Sequence, residues 1–213
     1  MKRISAVIFD CDGVLFDSRQ ANVNYYNQVL ANFGLKPMTE EEVTFVHMHT
    51  ADESIRYIFK GTSYVEQARA YRMQMDYTPF IKHMIMEPGL KELLKILRPQ
   101  YGLAVATNRS DTIGEVLESN GLKEFFDIVV SSLDVAIPKP HPEAVYKILD
   151  FFSIFPEQCL YVGDSLVDWQ TAKAAGVTLI AYQNEDLETP WRIKNLSEIK
   201  KILVTLEAEL RPI

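Results

Sequence analysis

Five short stretches of the chain are apolar with no polar alternation: AVIFD (6–10), LAVAT (103–107), FDIVV (126–130), CLYVGD (159–164) and VTLIAY (177–182). A strand with one face in water alternates polar and apolar positions, whereas a strand covered on both faces does not, so these stretches predict a buried parallel sheet. Between them apolar positions recur with the helical period. GLKELLKILRPQ ends at Pro99, SDTIGEVLESNG runs from a Ser110/Asp111 cap to Gly121, HPEAVYKILDFF has Pro142 near its start, and SLVDWQTAKAAG stops at Gly176. Strand alternating with helix predicts an α/β fold built on a doubly wound, Rossmann-like parallel sheet.

Residues 18–84 break that rhythm. SRQANVNYYNQVLANFG (18–34), TEEEVTFVHMH (39–49), ADESIRYIFKG (51–61) and YVEQARAYRMQMDYTPF (64–80) all carry a helical pattern, and Thr39 with Glu42 forms a capping-box signature. The expected organisation is an α/β core of residues 1–17 and 85–213, with an all-helical, four-helix cap (18–84) inserted after the first strand and rejoining the core near MEPGL at 86–90. YRMQM and IKHMIM fit the apolar interior of that cap, and Arg56 and Arg72 read as solvated charges on helix faces.

Composition narrows the function classes. A net charge of −7 over 213 residues weighs against nucleic acid as the main partner. There is no apolar run of transmembrane length, so no membrane partner is expected. Cys11 and Cys159 offer at most one disulfide and no thiolate metal cluster. With no secretory segment at the start, the expected location is the reducing cytoplasm.

The candidate chemistry lies at strand ends, where ligands bind in open parallel sheets. FDCDGVLFD crowds Asp10, Asp12 and Asp17 into eight positions and turns at Gly13. Collected with the other strand ends, the constellation is Asp10-x-Asp12, Thr107-Asn108, Lys139-Pro140 and Gly163-Asp164-x-x-x-Asp168. Carboxylates, one hydroxyl beside an amide, and one cation suit a hard metal ion such as Mg²⁺ held together with a phosphate. Singly, each has a structural use: Asp10 as a strand-end cap, Thr107-Asn108 as caps for the helix near Ser110, Lys139 as a loop residue, Asp164 as an N-cap, and Asp168 as a first-turn acid. The joint occurrence at four strand ends favours catalysis.

These four motifs, in this order, resemble those of the haloacid dehalogenase superfamily, with the phosphoglycolate phosphatase-like branch closest and the insertion similar to its small helical cap. The resemblance implies a Mg²⁺-dependent phosphatase acting on a small phosphorylated metabolite. Asp10 is then the nucleophile that becomes an aspartyl phosphate, and Asp12 the acid/base. Asp10, the Asp12 backbone carbonyl and Asp164 hold the metal. Thr107 and the Asn108 backbone N–H hold phosphoryl oxygens, Lys139 neutralises their charge, and Asp168 orients Lys139 or metal-bound water. Cys11 is expected to be inert, and His141 structural.

Within that superfamily the cap sorts the reactions. Asp12 counts against dehalogenation. Asn22 stands where sugar phosphomutases of the β-phosphoglucomutase type carry histidine, which leaves a mutase as the alternative enzyme; a catalytically quiet binding protein is the alternative of another class. His47, His49 and Thr50, in FVHMHTADES, are the candidates for contacting the leaving group. A monomer or a homodimer is expected.

Overall fold

A computed structural model describes residues 3–208. Its strands are β1 (Ala6–Phe9), β2 (Phe16–Asp17), β3 (Ile85–Met86), β4 (Gly102–Ala106), β5 (Ile128–Val130), β6 (Cys159–Gly163), β7 (Thr178–Tyr182) and β8 (Trp191–Ile193). Six of them form one parallel sheet in the order β5-β4-β1-β6-β7-β8. The strand order reverses between β1 and β6, which creates the topological switch point of a doubly wound fold.

Strand parity decides what each face of this sheet meets. Ala6 and Ile8 join Ala104, Ala106, Cys159, Tyr161, Leu179 and Ala181 beneath α8 (Glu143–Phe152) and α9 (Leu166–Ala175). Val7 and Phe9 face the other way with Leu103, Val105, Leu160 and Val162, covered by α6 (Leu90–Leu97), α7 (Ile113–Ser119) and α10 (Ile199–Ala208). Both faces are dry, as the unbroken apolar runs require.

Five helices lie between β2 and β3: α1 (Arg19–Asn32), α2 (Glu40–Met48), α3 (Ala51–Ile58), α4 (Val65–Arg72) and α5 (Thr78–Ile81). The expected fourth helix of residues 64–80 is therefore two. Its break follows Met73, where Asp76 accepts a hydrogen bond from the Thr78 N–H at 2.9 Å and Pro79 starts a new turn. β2 and β3 pair antiparallel, so the two chain crossings to these helices run side by side as a two-residue ribbon. Tyr25 organises the helical layer's interior, its ring 5.1–5.3 Å from those of Tyr26, Tyr77 and Phe80.

Two further expectations need correction. The helix expected from Ser110 starts at Ile113, because the Ser110 and Asp111 side chains bond Arg72 rather than cap the helix. β8 and α10 extend the fold beyond Tyr182, where no element was expected. Cys11 and Cys159 are both buried and free. Among the described residues, no helix is long and apolar enough to cross a membrane.

Candidate active site

Asp10 and Asp164 each stand one residue beyond β1 and β6, on either side of the switch point, and Thr107 follows β4 at the same rim. The Asp10 N–H donates to the Val162 carbonyl and the Thr107 N–H to the Val130 carbonyl, both at 3.0 Å. The sheet's last ladder bonds thus fix where these side chains leave it.

Lys139 reaches this rim from the loop before α8. Its buried ammonium lies 2.9 Å from Asp10 Oδ1, 2.7 Å from Asp168 Oδ1 and 3.0 Å from the Tyr161 hydroxyl. The Asn108 amide clamps the lysine's backbone: its Oδ1 accepts from the Lys139 N–H and its Nδ2 donates to the Lys139 carbonyl, both at 3.0 Å. Asn108 Nδ2 also reaches the Met48 carbonyl at the end of α2, 3.2 Å away. The Asn108 side chain therefore ties three segments together. Thr107 Oγ1 accepts from the Arg109 N–H at 3.1 Å.

Asp168 is entirely buried and saturated. Oδ1 meets Lys139 and the Tyr161 hydroxyl; Oδ2 accepts from the Asp164 N–H, the Ser165 N–H and the Ser165 hydroxyl. Burial pushes its carboxyl up, but Lys139, Ser165 and Tyr161 outweigh that and leave it below the ordinary range. The neighbours behave oppositely. Burial, then the Asp168 charge, raises Asp10 from 3.8 to about 7 against the pull of Lys139. Burial, followed by the Asp168 and Asp10 charges, holds Asp164 well above its ordinary value. Asp164 Oδ1 is buried with no hydrogen-bond partner, and Asp10 Oδ1 meets Lys139 as an ion pair off the hydrogen-bonding direction.

One ligand atom each from Asp10, Asp164 and Asp168 lie within 4.8 Å of one another. The fit to a hard divalent cation rests on the two orphaned carboxylate oxygens of Asp10 and Asp164, since both Asp168 oxygens are already engaged. Gly13 makes room: at φ +83° a Cβ there would overlap the Asp164 carboxylate.

Asp12 meets a residue that sequence reasoning missed. The Arg109 fork grips it with both ends, Nη2 to Oδ1 at 2.5 Å and Nε to Oδ2 at 3.1 Å, with Nη1 on Thr112 Oγ1 at 3.1 Å. Burial raises the Asp12 carboxyl, but the attraction of Arg109 and its hydrogen bonds dominate and lower it. The guanidinium also lies over the Tyr77 ring, 5.0 Å from its centroid. Arg109 was findable by its place two residues past Thr107, yet its partner is 97 residues away in the chain. Tyr161 was hidden because an aromatic residue in a strand reads as packing.

Asp10, Asp12, Thr107, Asn108, Lys139 and Asp164 line one cavity beneath the helical layer, with Asn22, His47 and His49 opposite. Asn22 Oδ1 accepts from the Tyr77 hydroxyl at 3.3 Å. His49 is largely committed to its own helix, with Nδ1 2.8 Å from the Phe45 carbonyl and its ring stacked on Phe45 at 3.8 Å. Thr50 does not join the cavity lining: it is the N-cap of α3, its hydroxyl engaged with Glu53, because a capping box consumes its polar atoms. Arg72 is not a solvated charge. Its side chain is 11 % exposed, lines the cavity, and bonds Asp111 at 3.0 Å and Ser110 at 3.2 Å. Arg56 does lie on an exposed face, paired with Asp52 one turn away.

The family model for haloacid dehalogenase-like hydrolases matches residues 7–182. A phosphoglycolate phosphatase of Chromobacterium violaceum is 29 % identical over 192 residues, covering 85 % of this chain and 86 % of its own. A phosphorylated carbohydrates phosphatase of Thermotoga maritima is 27 % identical, covering 83 % and 84 %. Among solved structures, a HAD-superfamily hydrolase, subfamily IA, from Geobacter sulfurreducens is 37 % identical with a TM-score of 0.83, covering 93 % of this chain and 99 % of that one.

Proposed function

The chain belongs to the haloacid dehalogenase-like hydrolase family, and from that premise we propose that it is a Mg²⁺-dependent phosphatase that hydrolyses a small phosphomonoester through an aspartyl phosphate on Asp10. The observation that carries the reading is the pair of under-partnered carboxylates of Asp10, which is buried, and Asp164, whose Oδ1 is buried, beside the buried ammonium of Lys139. Buried like charges in contact are costly unless a cation and an anionic ligand complete the site. The phosphatase names of its relatives support the same activity.

The ion would be held by the Asp10 and Asp164 carboxylates and the Asp12 backbone carbonyl; bound there, it neutralises the nucleophile and the phosphoryl oxygens and aligns them. An Asp10 carboxylate oxygen attacks phosphorus as the ester P–O bond breaks. Asp12, after taking up a proton from solvent against the pull of Arg109, gives it to the departing oxygen. Asp12 then takes a proton from the water that attacks the aspartyl phosphate, which releases inorganic phosphate and restores Asp10. Lys139, held by Asp168 and Tyr161, faces Asp10 and neutralises charge on the equatorial oxygens with the Thr107 hydroxyl and the Asn108 N–H. The helical layer over the cavity excludes bulk water and brings His47 to the leaving group. Two free, buried thiols accord with a cytoplasmic setting.

The test is hydrolysis of an aryl phosphate by the purified protein. Activity that needs Mg²⁺ and disappears in Asp10→Asn is the expected result; full activity in excess chelator, or in that variant, overturns the mechanism.

A further inference from the structure

We infer that Asn184 is a positioning residue for the metal site: by holding the backbone of Asp164 it sets the aim of that carboxylate, and with it the preference for Mg²⁺ over a larger cation. The inference rests on the metal assignment above and adds to it a residue from the loop after β7.

The Asp164 carboxylate is not fixed by contacts of its own. Its Oδ1 is buried and has no hydrogen-bond partner among the described residues, whereas Asp168 has both oxygens engaged and Asp10 faces Lys139. The hold comes from the backbone on either side. The Asp164 N–H donates to Asp168 Oδ2 at 3.2 Å, and the Asp164 carbonyl accepts from Asn184 Nδ2 at 2.7 Å. One side chain thus grips each end of the residue, and between them they fix the direction in which its carboxylate leaves the chain.

The local structure delivers Asn184 to that carbonyl. β6 and β7 pair as far as Gly163 and Ala181, so the Asp164 carbonyl stands just beyond the ladder. Gln183 then turns the chain at φ +51°, in the left-handed region that a residue with a Cβ enters only at a cost. Its N–H on the Ile193 carbonyl at 2.8 Å and its side-chain amide on the Tyr182 hydroxyl at 2.7 Å hold the turn. The Asn184 amide is committed at its other end as well, where Oδ1 accepts from the Asp186 N–H at 3.0 Å. With an acceptor and a donor both in use, the amide has a single orientation. The strained turn and the doubly engaged amide are separate observations that converge on one carbonyl.

The consequence follows from the coordination chemistry. Mg²⁺ demands near-ideal octahedral geometry at short distances, whereas Ca²⁺ accepts more ligands in adaptable arrangements. A carboxylate released from its brace can follow an adaptable cation but not a strict one, so Asn184 matters more to Mg²⁺ than to Ca²⁺.

The test is calorimetric titration of MgCl₂, and separately of CaCl₂, into the metal-free protein with no ester present. Asn184→Leu keeps the bulk and removes both hydrogen bonds, Asn184→Ala is the second variant, and Lys194→Gln, at an exposed residue lining the same surface pocket, is the control. Circular dichroism confirms that each variant is folded before titration. Both Asn184 variants are expected to weaken Mg²⁺ by about 10-fold or more and Ca²⁺ by clearly less, and Lys194→Gln to keep the wild-type constants. With an aryl phosphate, the Asn184 variants should need more Mg²⁺ for half-maximal rate while the ester KM at saturating Mg²⁺ stays that of the wild type. Unchanged Mg²⁺ affinity in both variants, or one factor of loss for both cations, overturns the positioning role and leaves the phosphatase reading intact. A wild-type protein that binds no Mg²⁺ overturns the metal assignment and this inference together.

Discussion

Asp10 makes the site costly to fold without a cation, and Asp10→Asn measures that cost. The unfolded carboxyl ionises near 3.8, while the folded one keeps its proton to about 7. Below about pH 4 both states are protonated and the group contributes nothing to stability. As the pH rises from 3.8 the unfolded state loses its proton first, so stability falls until the folded group ionises near 7, and above that the penalty is complete. A displacement of about 3 pH units at 1.36 kcal/mol each is about 4 kcal/mol. Loss of the Lys139 contact in the variant offsets part of this, leaving about 2–4 kcal/mol. For a chain of this size that corresponds to a rise in Tm of roughly 5–10 °C. The assay is thermal denaturation followed by circular dichroism, in chelator, at pH 8, 6 and 4.5. Asp10→Asn should be the more stable protein at pH 8, with the gap shrinking to about 1 kcal/mol or less at pH 4.5. Mg²⁺ should close the gap at pH 8 by stabilising the wild type. A variant no more stable than wild type at pH 8, or a gap that does not vary with pH, refutes the electrostatic account of this site.

Tyr161→Phe keeps the ring but removes an acceptor from the Lys139 ammonium and a donor to Asp168; the melting curve should move by no more than a few degrees while kcat falls about 10-fold, and an unchanged kcat would count against the tyrosine's positioning role. Gly13→Ala places a methyl group against the Asp164 carboxylate in a left-handed turn, so Mg²⁺ affinity measured by calorimetry should fall sharply. Thr50→Ala should cost about 1 kcal/mol of stability through the lost cap, with kcat/KM unchanged across a panel of phosphate esters; a changed substrate ranking would return Thr50 to the site. Arg109→Met should destabilise by about 3 kcal/mol or more, because it strands the Asp12 carboxylate, and the double variant with Asp12→Asn should recover much of that loss in chemical denaturation.

The chain's own pattern was sufficient for five of the sheet's six strands and for placing candidate polar residues at their ends, and the physical reason is locality. A strand buried on both faces must be apolar throughout, and the candidate residues Asp10, Thr107 and Asp164 each stand one position beyond a strand that ends at the same rim of the parallel sheet. Capping boxes are equally local: Thr39 with Glu42 is legible in four residues. Elements of two or three residues are not. β2, β3 and β8 exist because a partner strand pairs with them, and a two-residue pattern has no period to read.

What the tertiary structure alone decided is which charge meets which. Arg72 and Arg56 both sit on helix faces with similar surroundings in sequence, yet packing of α4 against the 110–111 loop buries one and leaves the other in water. Thr50 and His47 are three residues apart, but one is consumed by its own helix, while the other lines the cavity and keeps a buried, unpartnered ring nitrogen. Arg109 finds Asp12 only because β4 lies beside β1 in the folded sheet. Residue type and spacing determined the chemistry available to this protein. Burial, which sets the strength of every charge interaction, was decided by contacts between segments distant in sequence.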